Sequence, residues 1–183
     1  MKNLILGGAR SGKSLLAEQR AAASGQSVIY LATAEARDGE MQTRIAAHRA
    51  RRPADWGCHE EPIELARRLG ELARPDTCLL VDCLTLWLSN LLFTGQAATQ
   101  AEAGEAIACP LLDGQIDALC NLLPTLPGQI ILVSNEVGWG IVPMHPVSRL
   151  FADLQGRLNQ RVAAACDRVT LVAAGLPLEL KPA

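Results

Sequence analysis

Short, nearly uninterrupted apolar runs alternate along the chain with longer segments in which apolar residues recur every three or four positions. Apolar runs of this length are typical of parallel strands that are buried on both faces of a sheet. They predict strands at residues 4–6, 28–31, 78–81, 129–134 and 169–173, the last being the final strand of the chain. The segments with helical periodicity predict helices at residues 14–23, 38–51, 62–73, 111–123 and 147–165.

Two stretches do not follow this alternation. Residues 94–108 are small, polar and rich in alanine, which predicts either a variable loop or an exposed helix. Residues 137–146 contain glycines and prolines and predict a structured loop. Because strands and helices alternate elsewhere, the pattern predicts an α/β fold with a mainly parallel sheet flanked by helices. No repeat or linker divides the chain, so we expect a single domain over residues 1–183.

Composition is that of an ordinary globular protein. The chain has 183 residues, of which 49% are hydrophobic and 20% are charged, and this balance excludes a disordered chain. The formal net charge of -2 argues against a nucleic-acid-binding surface. A bound nucleotide must therefore be held locally, by a defined site.

The cysteines and the apolar runs indicate the compartment. The six cysteines form no CxxC pair and no Cys/His cluster with zinc spacing, so we expect reduced thiols. The run at residues 84–93 is too short to span a bilayer. The chain passes from Met1 directly into a strand-like segment, which leaves no room for a signal peptide. We therefore expect a cytoplasmic protein without a membrane span.

The segment between the first predicted strand and helix carries a phosphate-binding motif. It matches G-x-x-x-x-G-K-[ST] at every fixed position and consists of Gly7, Gly8, Ala9, Arg10, Ser11, Gly12, Lys13 and Ser14. In this motif, backbone N–H groups and the helix N-terminus bind phosphate oxygens. Lys13 is placed to reach the β- and γ-phosphates, and the Ser14 hydroxyl to ligate Mg²⁺. The motif predicts a nucleoside triphosphate site of the P-loop class.

Asp82 ends the predicted strand at residues 78–81. A carboxylate at the end of a buried strand suits a second Mg²⁺ ligand, held directly or through water. Many strands also end in aspartate as a turn or cap, so it is the P-loop that favours the metal-binding interpretation.

His48 has two possible interpretations. On the predicted helix it shares a face with Met41 and Ile45, which is common for a core or surface histidine. Arg49, Arg51 and Arg52 follow, and such a cluster could stabilise phosphate charge around a nucleophilic imidazole or form a solvated face. His59 and His145 lack a comparable basic setting, and we interpret them as structural or surface residues.

Several segments together resemble one enzyme family, over residues 4–181. They are the P-loop, Ala32-Thr33-Ala34, Glu40-Met41, Arg44-Ile45 with His48 and Arg52-Pro53, Ser134-Asn135-Glu136-Val137-Gly138, Gly140-Ile141-Val142-Pro143 and Gly156-Arg157-Leu158-Asn159-Gln160-Arg161. The family is the bifunctional adenosylcobinamide kinase/adenosylcobinamide-phosphate guanylyltransferase of cobalamin biosynthesis.

The resemblance implies a RecA-like P-loop fold, a homotrimer and two reactions. One phosphorylates the aminopropanol hydroxyl of adenosylcobinamide with ATP or GTP. The other transfers GMP from GTP to the resulting phosphate through a GMP-histidine. The family's histidine falls on His48. Its nucleotide-binding positions fall on the P-loop, Ala32, Thr33, Ala34, Arg49, Ala50, Arg51, Arg52, Glu60 and Asp82.

Two other functions use the same P-loop. A plain small-molecule kinase would transfer the γ-phosphate and form no covalent nucleotide. A RecA-like regulatory module would bind nucleotide as a conformational switch and associate with a partner. The segments around Asn135 and His48 favour the bifunctional enzyme, whose partners are a corrinoid and a nucleotide.

Overall fold

The computed structural model describes residues 1–34 and 53–182, and these form one seven-stranded sheet with helices on both faces. The strands are β1 (Lys2–Gly7), β2 (Ser27–Ala32), β3 (Gly57–Glu60), β4 (Thr77–Asp82), β5 (Gln129–Asn135), β6 (Arg168–Ala173) and β7 (Leu176–Lys181). Their order in the sheet is β3-β2-β4-β5-β1-β6-β7. Neighbouring strands are parallel except for β6 and β7, which are antiparallel.

The helices of the described residues are α1 (Lys13–Ala22), α2 (Leu65–Leu72), α3 (Leu84–Thr94), α4 (Ala97–Ala103), α5 (Pro110–Leu122) and α6 (Pro146–Ala165), with a 3₁₀ turn at Leu123–Thr125. One apolar layer lies between the sheet and α1, to which Ala17 and Ala21 contribute. A larger layer on the opposite face involves the other helices. Every strand predicted from an apolar run is present, because each run is buried between these layers.

Three sequence predictions need correction. The strand at residues 168–173 is not the last, because Ala174 and Gly175 both have positive φ and turn the chain back into β7. The edge strand β3 was not predicted, since its residues are largely exposed and form no apolar run. The segment at 94–108 contains α4, and its buried residues Ala97, Ala98 and Ala101 contradict an exposed helix.

The apolar run at residues 84–93 forms most of α3, whose buried residues include Leu84, Trp87 and Leu88. No helix of the described chain is long and apolar enough to cross a membrane. The helix predicted at residues 38–51 lies outside the described residues.

Candidate nucleotide site

Strand order places two predicted site elements close together at the carboxyl edge of the sheet. β1 leads into the P-loop, β4 ends on Asp82, and β5 alone separates them. The register aligns Gly7 with Asn135 and Asp82 with Val133. In open parallel sheets, ligands bind outside the carboxyl ends of the strands, so this edge is the candidate site.

The P-loop backbone depends on two glycines. A Cβ at Gly7 would lie 2.4 Å from Ser11 Oγ and 2.6 Å from the Val172 carbonyl oxygen, so a side chain there has no room. Gly12, which precedes α1, has a φ of 97°, a conformation that glycine adopts without a steric penalty. The loop is closed by a hydrogen bond from the Gly175 N–H to the Ser11 carbonyl, of 2.8 Å.

Lys13 begins α1 and is buried, and its Nζ donates to the Gly8 carbonyl oxygen at 3.0 Å. Burial lowers the pKa of Lys13, because the ammonium loses hydration, while the nearby Cys83 and Asp82 act in the opposite direction. A phosphate group at this position would supply further negative charge to the partly desolvated ammonium. Ser14, the next residue, is partly exposed.

Asp82 is held in place by its neighbours. Its Oδ2 accepts a hydrogen bond of 3.1 Å from the hydroxyl of Tyr30, a buried residue of β2. Asp82 itself is partly exposed and can reach solvent or a ligand. Tyr30 was missed from the sequence, since a tyrosine within an apolar strand gives no signal of its own.

The candidate Mg²⁺ ligands have suitable chemistry. The Ser14 hydroxyl and the Asp82 carboxylate are hard oxygen donors, the kind that Mg²⁺ prefers. No cluster of three or more histidine, cysteine, aspartate or glutamate side chains forms a metal site within residues 1–34 and 53–182. A Mg²⁺ ion held here would take its remaining ligands from phosphates and water, as is usual for this ion.

The predicted residues on β2 and β3 lie in one row with Asp82. The register pairs Ala32 with both Glu60 and Asp82, so these three positions lie side by side on β3, β2 and β4 at the carboxyl edge. Thr33 follows and is completely buried. Its Oγ1 accepts from the Cys83 N–H at 3.0 Å and donates to the Cys83 carbonyl at 2.7 Å. Thr33 thereby ties the end of β2 to the residue after Asp82.

The structure does not describe the predicted guanylylation residues. His48, Arg49, Ala50, Arg51 and Arg52 all lie outside the described residues. Of the other histidines, His145 is exposed immediately before α6, and His59 lies on β3 with its Nδ1 2.8 Å from an Arg68 nitrogen. Both positions are consistent with the predicted structural or surface roles.

A buried polar cluster that the sequence did not assign to the site lies beside it. The Ser134 hydroxyl donates to Asn159 Oδ1 at 2.7 Å, and Gln155 Nε2 donates to both at 2.9 and 3.1 Å. Asn159 Nδ2 in turn donates to the Asn135 carbonyl at 3.0 Å. The polar Ser134-Asn135 pair at the end of a buried strand could have indicated this cluster, just as a polar residue at the end of a strand indicated Asp82.

One protein family and several known relatives match this chain along nearly its whole length. Residues 3–180 match the family described as cobinamide kinase / cobinamide phosphate guanyltransferase. A "bifunctional adenosylcobalamin biosynthesis protein CobP" from Pseudomonas aeruginosa is 54% identical over 181 residues, which are 99% of this chain and 98% of the relative. The "bifunctional adenosylcobalamin biosynthesis protein CobU" of Salmonella typhimurium is 39% identical over 99% of this chain and 100% of its own.

Solved structures share the fold at low sequence identity. A type III secretion system ATPase of pathogenic bacteria superimposes with a TM-score of 0.56 at 14% identity, over 97% of this chain and 56% of its own. EscN, the type III secretion ATPase of enteropathogenic E. coli, gives 0.56 at 15% identity, over 94% of this chain and 43% of its own. The chain thus spans about half the length of these ATPases. The likeness confirms the predicted α/β P-loop fold.

Proposed function

This chain belongs to the cobinamide kinase / cobinamide phosphate guanyltransferase family, and we propose that it catalyses both reactions at the carboxyl edge of its sheet. It is thus a kinase and a guanylyltransferase. The proposed substrates are adenosylcobinamide with ATP or GTP in the first reaction, and adenosylcobinamide phosphate with GTP in the second. The observation that carries the proposal is the buried Lys13 of a complete P-loop, one strand away from Asp82.

In the kinase step, the aminopropanol hydroxyl oxygen attacks the γ-phosphorus. The bond between that phosphorus and the β–γ bridging oxygen breaks, the nucleoside diphosphate leaves, and the hydroxyl proton passes to solvent. The P-loop amides and Lys13 bind the phosphate oxygens and stabilise their developing charge. Mg²⁺, held by Ser14 and Asp82, would neutralise phosphate charge when bound. Tyr30 supports this step by orienting the Asp82 carboxylate.

In the guanylyl step, a ring nitrogen of neutral His48 attacks the α-phosphorus of GTP, and pyrophosphate leaves. A phosphate oxygen of adenosylcobinamide phosphate then attacks the same phosphorus, which gives adenosylcobinamide-GDP and releases the histidine. A covalent intermediate divides a difficult transfer into two displacements. Arg49, Arg51 and Arg52 supply guanidinium groups next to His48 in the sequence, and these groups suit phosphate oxygens. Ala50 and Glu60 complete the proposed nucleotide-binding set, with Ala32, Thr33 and Ala34.

Three further features are part of the proposal. Residues 1–183 form a single domain, a proposal supported by the one sheet that runs from β1 to β7. The protein assembles as a homotrimer, as the resemblance implies, and works in the cytoplasm, as the cysteine pattern predicts. Light scattering on the purified protein tests the assembly, since a trimer has three times the mass of the 19.5 kDa chain.

The test of the guanylyl step uses Mg²⁺ and GTP labelled at the α-phosphate. We expect a protein-bound label that is stable to alkali and labile to acid, located on His48 by mass spectrometry. His48→Ala should abolish the label while sparing most of the kinase activity, because His48 serves only the second reaction. His145→Ala is the matched control, since His145 is exposed before α6, and it should label normally. Lys13→Ala should impair both reactions.

The outcomes separate the alternatives. A label on His48 together with ATP- or GTP-dependent phosphorylation of adenosylcobinamide supports the proposal. Phosphorylation without any covalent nucleotide would leave a plain kinase. Equal loss of both activities in His48→Ala would contradict the division of labour between His48 and the P-loop.

A further inference from the structure

Asn135 ends β5 at the centre of the candidate site. β5 lies between β1, which carries the P-loop, and β4, which ends on Asp82. Asn135 is paired in register with Gly7, the first P-loop residue, and extends beyond Val133, which is the partner of Asp82.

The side chain lies on the same face of the sheet as the P-loop helix. Ile131 and Val133 belong to the apolar layer that contains Ala17 and Ala21 of α1. Because side chains alternate along a strand, Asn135 follows them on that face. Asp82 follows Leu80 of the same layer on the neighbouring strand. The Asn135 amide therefore extends one face of the sheet towards the space between the P-loop and Asp82.

The backbone of Asn135 is fixed from both sides by side chains. Its N–H donates to Thr85 Oγ1 at 2.8 Å, and its carbonyl accepts from Asn159 Nδ2 at 3.0 Å. Asn159 is itself held by the buried Ser134 and Gln155. The next residue, Glu136, donates its N–H to the Gly7 carbonyl at 3.1 Å. Such a supporting shell holds a side chain in a defined position, as binding sites require.

The side-chain amide has no hydrogen bond of its own within the described residues. Asn135 Oδ1 is buried and has no partner among them, and the same holds for Ser11 Oγ in the P-loop. Buried polar atoms are rarely left without a partner, and each such atom needs an explanation. Two of these atoms lie in segments at the carboxyl edge, where a nucleotide would place its phosphates.

We propose that the Asn135 amide binds the terminal phosphate of the nucleoside triphosphate. This role depends on the nucleotide site of the proposed function. Nδ2 donates to a γ-phosphate oxygen, and Oδ1 accepts from a water molecule bound beside that phosphate. An amide can do both, whereas an aspartate at this position would repel the phosphate. Asn135 thereby distinguishes a triphosphate from a diphosphate before either reaction begins.

The test compares the affinities of α,β-methylene-GTP and α,β-methylene-GDP by calorimetry. The methylene bridge prevents guanylyl transfer, and the absence of a corrinoid prevents kinase turnover. Wild type should bind the triphosphate analogue more tightly. Asn135→Asp and Asn135→Ala should weaken that binding by about ten-fold or more, the effect of losing a hydrogen bond to a charged group. Binding of the diphosphate analogue should change by less than about two-fold.

Two controls separate binding from folding. Asn135→Ala should have the urea midpoint of wild type, because the side chain makes no hydrogen bond within the described residues. Asn121→Ala, on an exposed position of α5, should bind both analogues as wild type does. Unchanged binding of the triphosphate analogue by both Asn135 variants, or equal weakening of the two analogues, overturns the inference. A wild-type protein that binds neither analogue would instead contradict the proposed nucleotide site.

Discussion

The Thr33 hydroxyl provides a sharp test of how the site is held together. Thr33 is completely buried at the end of β2, and its hydroxyl makes two hydrogen bonds to the backbone of Cys83. Thr33→Val keeps the shape of the side chain but replaces the hydroxyl with a methyl group. The substitution therefore removes the polar connection between β2 and the residue after Asp82 without creating a cavity.

The expected loss of stability depends on which hydrogen-bond partners the Cys83 carbonyl and N–H keep in Thr33→Val. The Cys83 carbonyl also accepts from the Trp87 N–H at 3.2 Å, so it keeps one partner. The Cys83 N–H loses its bond to Thr33 and is left buried. An unpaired buried donor costs about 1–3 kcal/mol, and the second lost bond about 0.5–1.5 kcal/mol. We therefore expect Thr33→Val to lower the free energy of unfolding by about 1.5–4.5 kcal/mol.

Urea unfolding monitored by circular dichroism measures this change. In thermal unfolding of a chain of this size, each kcal/mol of lost stability corresponds to a Tm decrease of about 2–4 °C. Thr33→Ser is the matched control, because it keeps the hydroxyl and removes only a methyl group. It should lower the free energy of unfolding by about 1 kcal/mol. A loss below about 0.5 kcal/mol in Thr33→Val, or an equal loss in both variants, would refute the reasoning.

Two further predictions concern the P-loop and the thiols. Gly7→Ala should destabilise the protein by about 1–3 kcal/mol and abolish GTP binding, because the new Cβ would meet the Val172 carbonyl. A Cβ at Gly8 would meet nothing within 4 Å, so Gly8→Ala should unfold like wild type, and similar urea midpoints for the two variants would contradict this prediction. Burial, followed by the nearby Asp167, raises the pKa of Cys166 from 9.0 to about 12, so the neutral thiol favours the folded state. This stability is fully present below pH 9 and is lost as the pH rises towards 12. By pH 11 the stability advantage of wild type over Cys166→Ala should therefore have fallen by about 2–3 kcal/mol, and a difference that stays constant with pH would contradict this prediction.

Most of the fold could be predicted because its strands are buried on both faces. Burial of that kind requires uninterrupted apolar runs, and the runs at β1, β2, β4, β5 and β6 were all visible in the sequence. The edge strands β3 and β7 escaped this criterion, since edge strands are exposed and need no such run. The alanines of α4 were ambiguous for a related reason, because small residues suit both an exposed helix and a close helix contact.

The sequence by itself was enough to predict the chemistry of the phosphate site. The P-loop is a local motif whose glycines, lysine and hydroxyl act within one turn between a strand and a helix, so adjacent residues suffice to define it. Asp82 was less certain, since many strands end in aspartate, and only its combination with the P-loop favoured a metal-binding role. The proposed roles of His48 and of the arginines after it are supported by the sequence alone, since these residues lie outside the described residues.

Only the tertiary structure decided which of these residues are neighbours. The order of strands depends on how the chain crosses over, and no local pattern specifies that β5 lies between β4 and β1. That order places Asn135 beside Gly7, although 128 positions separate them in the chain. The bonds from Thr33 to Cys83 and from Tyr30 to Asp82 likewise join residues 50 and 52 positions apart. Long-range contacts of this kind depend on the packing of the whole sheet, and for that reason the sequence could predict the phosphate-binding residues but not the side chains that hold them in position.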